Sequence, residues 1–262
     1  MTQNKKASPP SRIVFKLLRF FAGVFYKKIE IVGIEDIPTD NTVIVANHCQ
    51  LNGPIIAELF MPDNCYIWAN GQMVRCREVP GYAMEDFFPY KSRCLRPVYK
   101  LASYALSVLL PCVINNARTI PVYRDARIVT TLRTSVRMLE GGRNILIFPE
   151  CHNKNNNIVN EFQENFVDLA RFYYKKTGKE LTFLPMYIAP DLGKAVFGQG
   201  TRFDSTKDIA EERTRIASFL EKRITELGRA LPHHTVIPFD NIPRRSYISN
   251  KDIDAIPGEA KY

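Results

Sequence analysis

Short apolar runs rich in β-branched residues alternate along this chain with longer segments of helical spacing. The runs at residues 42–46, 119–123, 144–148 and 182–188 have the length and composition of buried strands. Between two of them, residues 126–141 repeat apolar residues at helical spacing. Residues 160–176 are also helical by pattern, whereas the stretch from residue 70 to Pro97 is rich in loop residues. Strands that alternate with helices are typical of βαβ units. The pattern therefore predicts an α/β fold: a single domain in which a mixed, mostly parallel sheet is flanked by helices.

Three segments can be distinguished in the sequence. Residues 1–28 are predicted to form a basic amphipathic helix, residues 29–230 the α/β domain, and residues 231–262 an extended tail. Apolar residues make up 45 % of the 262 and charged residues 24 %, which is the balance of a globular chain with a core. This composition excludes collagen, wholesale disorder and a polytopic membrane protein.

The net charge of +9 is concentrated in the first segment of the sequence. Residues 1–29 contain seven basic residues and no acidic one, which leaves 29 basic and 27 acidic residues for positions 30–262. A nearly neutral body without a nucleic-acid-binding motif argues against DNA or RNA as a partner. We therefore expect no nucleic acid, and an anionic surface as the partner of the N-terminal segment.

The N-terminal helix has faces of unequal width. Arg12, Lys16 and Arg19 fall on one narrow stripe, whereas Phe20, Phe21 and their apolar neighbours cover most of the remaining circumference. Such a helix is typical of a membrane interface, where basic side chains are attracted to anionic lipid. A core helix with a solvated basic stripe is the alternative. The favoured interpretation is attachment to membrane lipids through these five residues.

The longest uncharged apolar run, residues 101–114, has 14 residues and contains Pro111. This is shorter than the roughly 20 residues that a helix needs to cross a bilayer, so we predict no transmembrane span. The run fits either a buried helix or a second surface that dips into lipid.

The six cysteines include no Cys-x-x-Cys pair, and only four histidines are present. A zinc site needs clustered Cys and His ligands, so we expect no metal. Reduced thiols are the usual state in the cytosol, and we expect a cytoplasmic protein at the inner face of the membrane.

Polar side chains follow three of the predicted strands at the point where each strand ends. His48 comes after residues 42–46, Arg124 after residues 119–123, and Glu150 after residues 144–148. Because parallel strands present their carboxyl ends at one edge of a sheet, these side chains should meet in a crevice. They would supply a base, an anion binder and a carboxylate, although a lone histidine is often structural.

These residues belong to four blocks that resemble, in order, those of the glycerolipid acyltransferase family, over roughly residues 30–200. Val45-Ala-Asn-His48 resembles its Asn-His-x-x-x-x-Asp block, and Thr119-Ile-Pro-Val-Tyr-Arg124 its second block. Ile147-Phe-Pro-Glu150 is similar to the start of Phe-Pro-Glu-Gly-Thr-Arg, and Leu184-Pro-Met-Tyr-Ile188 to the fourth block.

The resemblance implies an O-acyltransferase with His48 as general base. It would move a fatty acyl group from acyl-CoA or acyl carrier protein to a hydroxyl of a lysophospholipid or related acceptor, without a cofactor. Arg124 and residues of the third block, Glu150 among them, would hold the acceptor.

The sequence departs from the family's blocks at several positions. Gly53 stands where the family has the Asp that orients its catalytic histidine, and Asn52, one position earlier, is a candidate to fix the imidazole tautomer. In the third block the family's phosphate-binding Arg is absent, and Lys154 could substitute. Arg118 adds a cation near Arg124. The alternative is a catalytically impaired relative that binds lipid or acyl carrier without turnover.

Overall fold

The computed structural model describes residues 9–36, 42–88, 93–152 and 157–252. This part of the chain contains seven α-helices and eight β-strands. The helices are α1 Pro9–Phe25, α2 Asn52–Phe60, α3 Val79–Asp86, α4 Arg96–Ile114, α5 Ile128–Glu140, α6 Asp168–Thr177 and α7 Ile209–Ala230. The strands are β1 Glu30–Val32, β2 Thr42–Ala46, β3 Cys65–Asn70, β4 Thr119–Val122, β5 Asn144–Ile147, β6 Thr182–Ala189, β7 Lys194–Phe197 and β8 Thr201–Arg202.

The strands form one sheet in the order β1-β7-β6-β2-β5-β3-β4, and β8 pairs with β6. The pairs β1–β7, β2–β5, β2–β6 and β3–β5 are parallel. The pairs β6–β7 and β6–β8 are antiparallel. The predicted fold class, a single α/β domain with a mixed and mostly parallel sheet flanked by helices, is confirmed.

Strand β2 lies at the centre of the sheet, and all five of its residues are buried. A strand covered on both faces needs apolar residues at every position, which explains the unbroken run Val43-Ile-Val-Ala46. Val45 is paired with Ile147 of β5 on one side and with Pro185 of β6 on the other. The residues that follow β2 and β5 therefore emerge side by side.

Two compact units make up the chain. The helical unit comprises residues 1–26 and 68–131, with α1, α3, α4 and β4. The sheet unit comprises residues 27–67 and 132–262, with β1, β2, β5 to β8, α2, α6 and α7. The chain passes from one unit to the other between residues 26 and 27, within β3 and within α5.

The C-terminal segment folds back onto the sheet unit as far as the structure describes it, to residue 252. The OH of Tyr187 and Nε2 of His234 lie 2.9 Å apart, and Nδ2 of Asn250 donates to the carbonyl of Gly228 over 2.9 Å. His234 and Asn250 are both buried. Residues 232–250 are thus packed against β6 and α7, a finding that the prediction of an extended tail did not include.

Three predicted elements differ from those observed. Helix α3 occupies part of a stretch that the sequence suggested to be loop, since Pro80 stands at the helix start, where proline is tolerated. Pro111 lies inside α4 and does not end it. The helix predicted from residue 160 begins with the 3₁₀ turn Glu164–Val167, because the preceding amides of Asn160 and Phe162 bind carboxylates.

Candidate functional site

A tight loop carries His48 away from the end of β2. Cys49 and Gln50 both have positive φ, at 50° and 55°, a conformation that costs a non-glycine residue about 1 kcal/mol or more. The amide of Asn52 donates to the carbonyl of Cys49 over 3.0 Å, and that of Gly53 to the carbonyl of His48 over 3.1 Å. Two strained residues and two short-range hydrogen bonds thus fix the backbone next to His48.

This loop requires glycine at position 53. A Cβ there would lie 2.4 Å from the carbonyl oxygen of His48 and 3.0 Å from the ring of Phe148. An aspartate at this position would therefore collide with the loop that carries the histidine. The missing Asp of the first block is a consequence of how this loop is closed.

Asn47 fastens the end of β2 to the end of β6. Its Oδ1 accepts the amide of Ile188 over 2.7 Å, and its Nδ2 donates to the Ile188 carbonyl over 3.0 Å. Nδ2 also lies 2.9 Å from Sγ of Cys49. Burial and the nearby charges of Glu150 and Asp191 raise the pKa of the Cys49 thiol, so this sulfur stays protonated.

Glu150 lies beside His48 with only 5 % of its surface exposed. Its Oε1 accepts the backbone amide of His48 over 2.6 Å, and its Oε2 accepts the amide of Asn160 over 2.9 Å. The pKa of Glu150 is raised to about 7. Burial is the largest cause, the hydrogen bonds from the two amides act in the opposite direction, and the charge of Asp240 adds to the rise. The carboxylate was predicted to bind substrate, and in the structure it holds the backbone of His48.

The imidazole of His48 lies between two phenyl rings in edge-to-face geometry. The centroid of Phe148 is 5.1 Å away with an interplanar angle of 64°, and that of Phe239 is 5.0 Å away with an angle of 67°. Such contacts favour one orientation of the ring. Phe148 follows β5, whereas Phe239 comes from the C-terminal segment.

A second histidine, His152, also packs against Phe239. The rings of His152 and Phe239 have centroids 4.8 Å apart, and Nδ1 of His152 is 2.6 Å from Oδ1 of Asp240. The side chain of Gln50 donates to the carbonyl of Asp240 over 3.0 Å and contacts the OH of Tyr247 at 2.7 Å. The C-terminal segment is thus hydrogen-bonded to the loop that carries His48 and to the loop that carries His152.

The other predicted site residues are distributed as follows. Nδ2 of Asn52 donates to the carbonyl of Cys49 over 3.1 Å, so this amide supports the loop. Arg118, which is partly buried, lies just before β4 in the helical unit, and Arg124, which is exposed, lies shortly after it. Burial and then Asp86 raise the pKa of the Tyr82 hydroxyl, and the charge of Arg124 opposes this rise in part. Lys154 lies outside the described residues.

Helix α1 exposes both of its faces. Arg12, Lys16 and Arg19 are exposed, and so are Phe20 (64 %) and Phe21 (53 %). The alternative of a core helix is therefore wrong for α1.

Helix α4 is 19 residues long, and only 11 % of it is buried. It is the one helix among the described residues that is long and apolar enough to cross a membrane, judged by length and composition alone. The expectation that no segment reaches this length is wrong, because the helix extends beyond residues 101–114 and continues through Pro111.

Sequence reasoning missed several residues around His48. Asn47 and Phe148 stand inside the first and third blocks and could have been found there. Phe239 and Asp240 carry no such signal, since they lie about 190 residues from the loop that they contact.

No family model and no curated protein matches this sequence. Among solved structures, the chain is similar to the crystal structure of the 1-acyl-sn-glycerophosphate (LPA) acyltransferase, PlsC, from Thermotoga maritima. The sequence identity is 16 % and the TM-score 0.43, with 87 % of this chain and 84 % of that chain covered. A likeness of that degree leaves the function of this chain to be argued from its own residues.

Proposed function

We propose that the protein is an O-acyltransferase in which His48 is the general base. The observation that carries this proposal is the junction of β2 and β5, two adjacent parallel strands. His48 follows the first strand and Glu150 the second, and the carboxylate binds the amide of the histidine. Two of the four resembling blocks therefore supply directly contacting residues.

The proposed reaction needs a neutral imidazole beside a hydroxyl group and an acyl thioester. His48 removes the proton from the hydroxyl, and the oxygen attacks the acyl carbon. The carbon–sulfur bond then breaks, and the imidazolium returns its proton to the leaving thiolate. The products are an ester and a free thiol. Phe148 and Phe239 lie against the imidazole that performs these steps.

The substrates in this proposal come from the sequence resemblance. The donor is acyl-CoA or acyl carrier protein, and the acceptor is a lysophospholipid or a related lipid with a free hydroxyl. Arg118, Arg124 and Lys154 are the cations that we assign to the acceptor's polar group.

The proposal includes attachment to membrane lipid through the helical unit. This unit contains 14 basic and 4 acidic residues, a net charge of +10, whereas the sheet unit contains 22 basic and 23 acidic residues, a net charge of −1. The whole excess of positive charge therefore belongs to the unit that contains α1 and α4. A surface of this kind is attracted to an anionic leaflet.

The apolar part of this surface consists of two helices that contact each other. Sγ of Cys112 in α4 lies 3.4 Å from the Ser11 carbonyl in α1, and Nδ2 of Asn116 lies 3.3 Å from the Ser11 hydroxyl. Leu101 and Val108 of α4 are each 73 % exposed. Exposed apolar side chains beside a cationic surface fit a lipid interface, and we place the protein at the cytoplasmic face of the membrane.

Acyl transfer by purified protein tests the enzymatic proposal. Wild-type protein should acylate lysophosphatidate in anionic vesicles from acyl-CoA or acyl carrier protein. His48→Ala should lower kcat about 10²- to 10⁴-fold, in line with loss of a general base. His233→Ala, a change at an exposed histidine, should have no effect. Equal activity of the His48→Ala variant would overturn the assignment of the base.

The impaired relative is the second candidate, favoured by Gly53, which removes the family's acidic partner. It predicts that wild-type protein binds vesicles and acyl donor yet produces no ester over hours. Any turnover that depends on His48 excludes it.

A further inference from the structure

We propose that Phe239, held in place by Asp240, positions the imidazole of His48 and takes over the orienting role of the missing acidic residue. The inference rests on the proposed function, since it concerns the base of that reaction. Phe239 and Asp240 are positioning residues here, and His152 and Gln50 are the side chains that hold them.

A histidine that acts as a general base must be held in one orientation. A histidine that removes a proton must present one nitrogen to the hydroxyl, and in the family's arrangement a carboxylate fixes the ring. Here the loop excludes a side chain at position 53, because its Cβ would meet the His48 carbonyl at 2.4 Å. The carboxylate that orients the histidine in the family therefore cannot stand at position 53 of this chain.

Phe239 is in direct contact with the imidazole ring of His48. Its centroid lies 5.0 Å from that of His48, and Phe148 stands at 5.1 Å. Rotation of the imidazole about its χ2 angle must displace at least one of these phenyl rings. Phe148 is fixed by the end of β5, so the orientation of His48 depends on how firmly Phe239 is held.

Phe239 is in turn held by contacts with two other segments of the chain. His152 packs against it at 4.8 Å and binds the next residue, Asp240, through a 2.6 Å hydrogen bond. A carboxylate oxygen is an acceptor, so Nδ1 of His152 serves as the donor of this hydrogen bond. Gln50, two residues after His48, binds the carbonyl of Asp240. One hydrogen-bonded connection thus runs from the His48 loop through Asp240 to His152.

The exposure of the His152–Asp240 pair fits an anchoring role. The carboxylate side chain of Asp240 is only 10 % exposed, whereas that of His152 is 61 % exposed. A largely desolvated carboxylate binds its hydrogen-bond donor more strongly than one in water. The exposed partner is a position at which substitutions are tolerated, and it offers the cleanest test.

The test compares His152→Asn with His152→Ala. Asparagine places an amide near the position of Nδ1 and keeps a donor for Asp240, whereas alanine removes it. We expect Ala to lower kcat about 10- to 100-fold, since small misplacements of a catalytic group have effects of this size. KM should stay unchanged, and Asn should retain most of the activity. Phe239→Leu should lower kcat as much as His152→Ala does. The matched control is Phe172→Leu on α6, a change at an exposed phenylalanine, and its kcat should equal that of the wild type.

The ring signals of His48 in an NMR spectrum supply a readout that does not depend on turnover. His152→Ala and Phe239→Leu should shift the His48 Cε1–H resonance, and His152→Asn should leave it near its wild-type position. If wild-type protein shows no acyl transfer but these shifts appear, the proposed reaction is wrong and the positioning stands. An unmoved resonance overturns the positioning. An Asn variant as inactive as Ala also overturns it, because His152 would then transfer a proton itself.

Discussion

The backbone amide of His48 donates a 2.6 Å hydrogen bond to Oε1 of Glu150, a residue 102 positions later in the chain. The other carboxylate oxygen accepts the amide of Asn160. A buried carboxylate with two backbone donors joins three chain segments at the ends of β2 and β5. This contact makes the geometry around His48 dependent on the protonation state of one acid.

Glu150 should make stability depend on pH. Its pKa rises from 4.5 to about 7 on folding, so the native state binds the proton more tightly than the unfolded chain. The resulting stabilisation is present in full below about pH 4.5 and is lost as the pH rises through about 7, on the order of 3 kcal/mol at most. Urea unfolding between pH 4.5 and 8 measures this loss.

Two variants serve as comparisons in that titration. Glu150→Gln should remove this part of the slope, because an amide does not titrate. Glu140→Gln, at an exposed position on α5, should keep the slope of the wild type. A Glu150→Gln protein with an undiminished slope would assign the pH dependence to other groups.

An acidic residue at position 53, as in the first block of the acyltransferase family that the sequence resembles, should destabilise the protein. Gly53→Ala and Gly53→Asp both place a Cβ 2.4 Å from the His48 carbonyl, and overpacking of this kind destabilises by about 1–3 kcal/mol. Thermal unfolding and acyl-transfer rates of both variants test this. Gly81→Ala is the control, since no atom lies within 4 Å of its added Cβ. A more active Gly53→Asp enzyme would show that the loop can open.

Both helices of the proposed lipid surface should contribute to vesicle binding. Replacing Arg12, Lys16 and Arg19 together with Gln should weaken co-sedimentation with anionic vesicles about 100-fold, at roughly 1 kcal/mol for each cation. This loss should vanish at high salt. Leu101→Ser with Val108→Ser should weaken binding at every salt concentration. Phe172→Ser, on α6, is the control. If the α4 substitutions do not weaken vesicle binding, the lipid surface is limited to α1.

Asn47→Ala should loosen the sheet where the site is built. The variant leaves the buried amide and carbonyl of Ile188 without the partners that Asn47 provides. Each such loss costs about 1–3 kcal/mol, so chemical denaturation should show a decrease of that size or larger. Asn157→Ala, at an exposed position, is the control and should leave the free energy of unfolding unchanged.

The sequence was sufficient to predict the central strands, because burial on both faces leaves a clear apolar signature. Residues 42–46 coincide with β2, and residues 144–148 exceed β5 by one position. The pairing of His48 with Glu150 followed from the rule that parallel strands end at one edge. The role of Glu150 did not follow, since nothing in a sequence tells whether a carboxylate faces a substrate or a backbone amide.

Residues that act through long-range contacts could not be predicted. Phe239 lies in a segment without periodicity, and its position depends on Gln50, His152 and Asp240 together. Helix α3 was missed because Pro80 and Gly81 read as turn residues, although a proline in the first turn leaves the helix intact. The helix near residue 160 was predicted to start too early, because the carboxylates that bind the preceding amides come from distant elements.

The central position of β2 also determines when the sheet can form during synthesis. Strand β2 is complete at residue 46, but its neighbours β5 and β6 end about 100 and 140 residues later. At ribosomal rates this is a delay of roughly 7 to 30 seconds. Helix α1 needs only local hydrogen bonds and can form as soon as it is made. For that interval the nascent chain exposes an apolar strand whose partners have not yet been made, and segments of this kind are prone to aggregation.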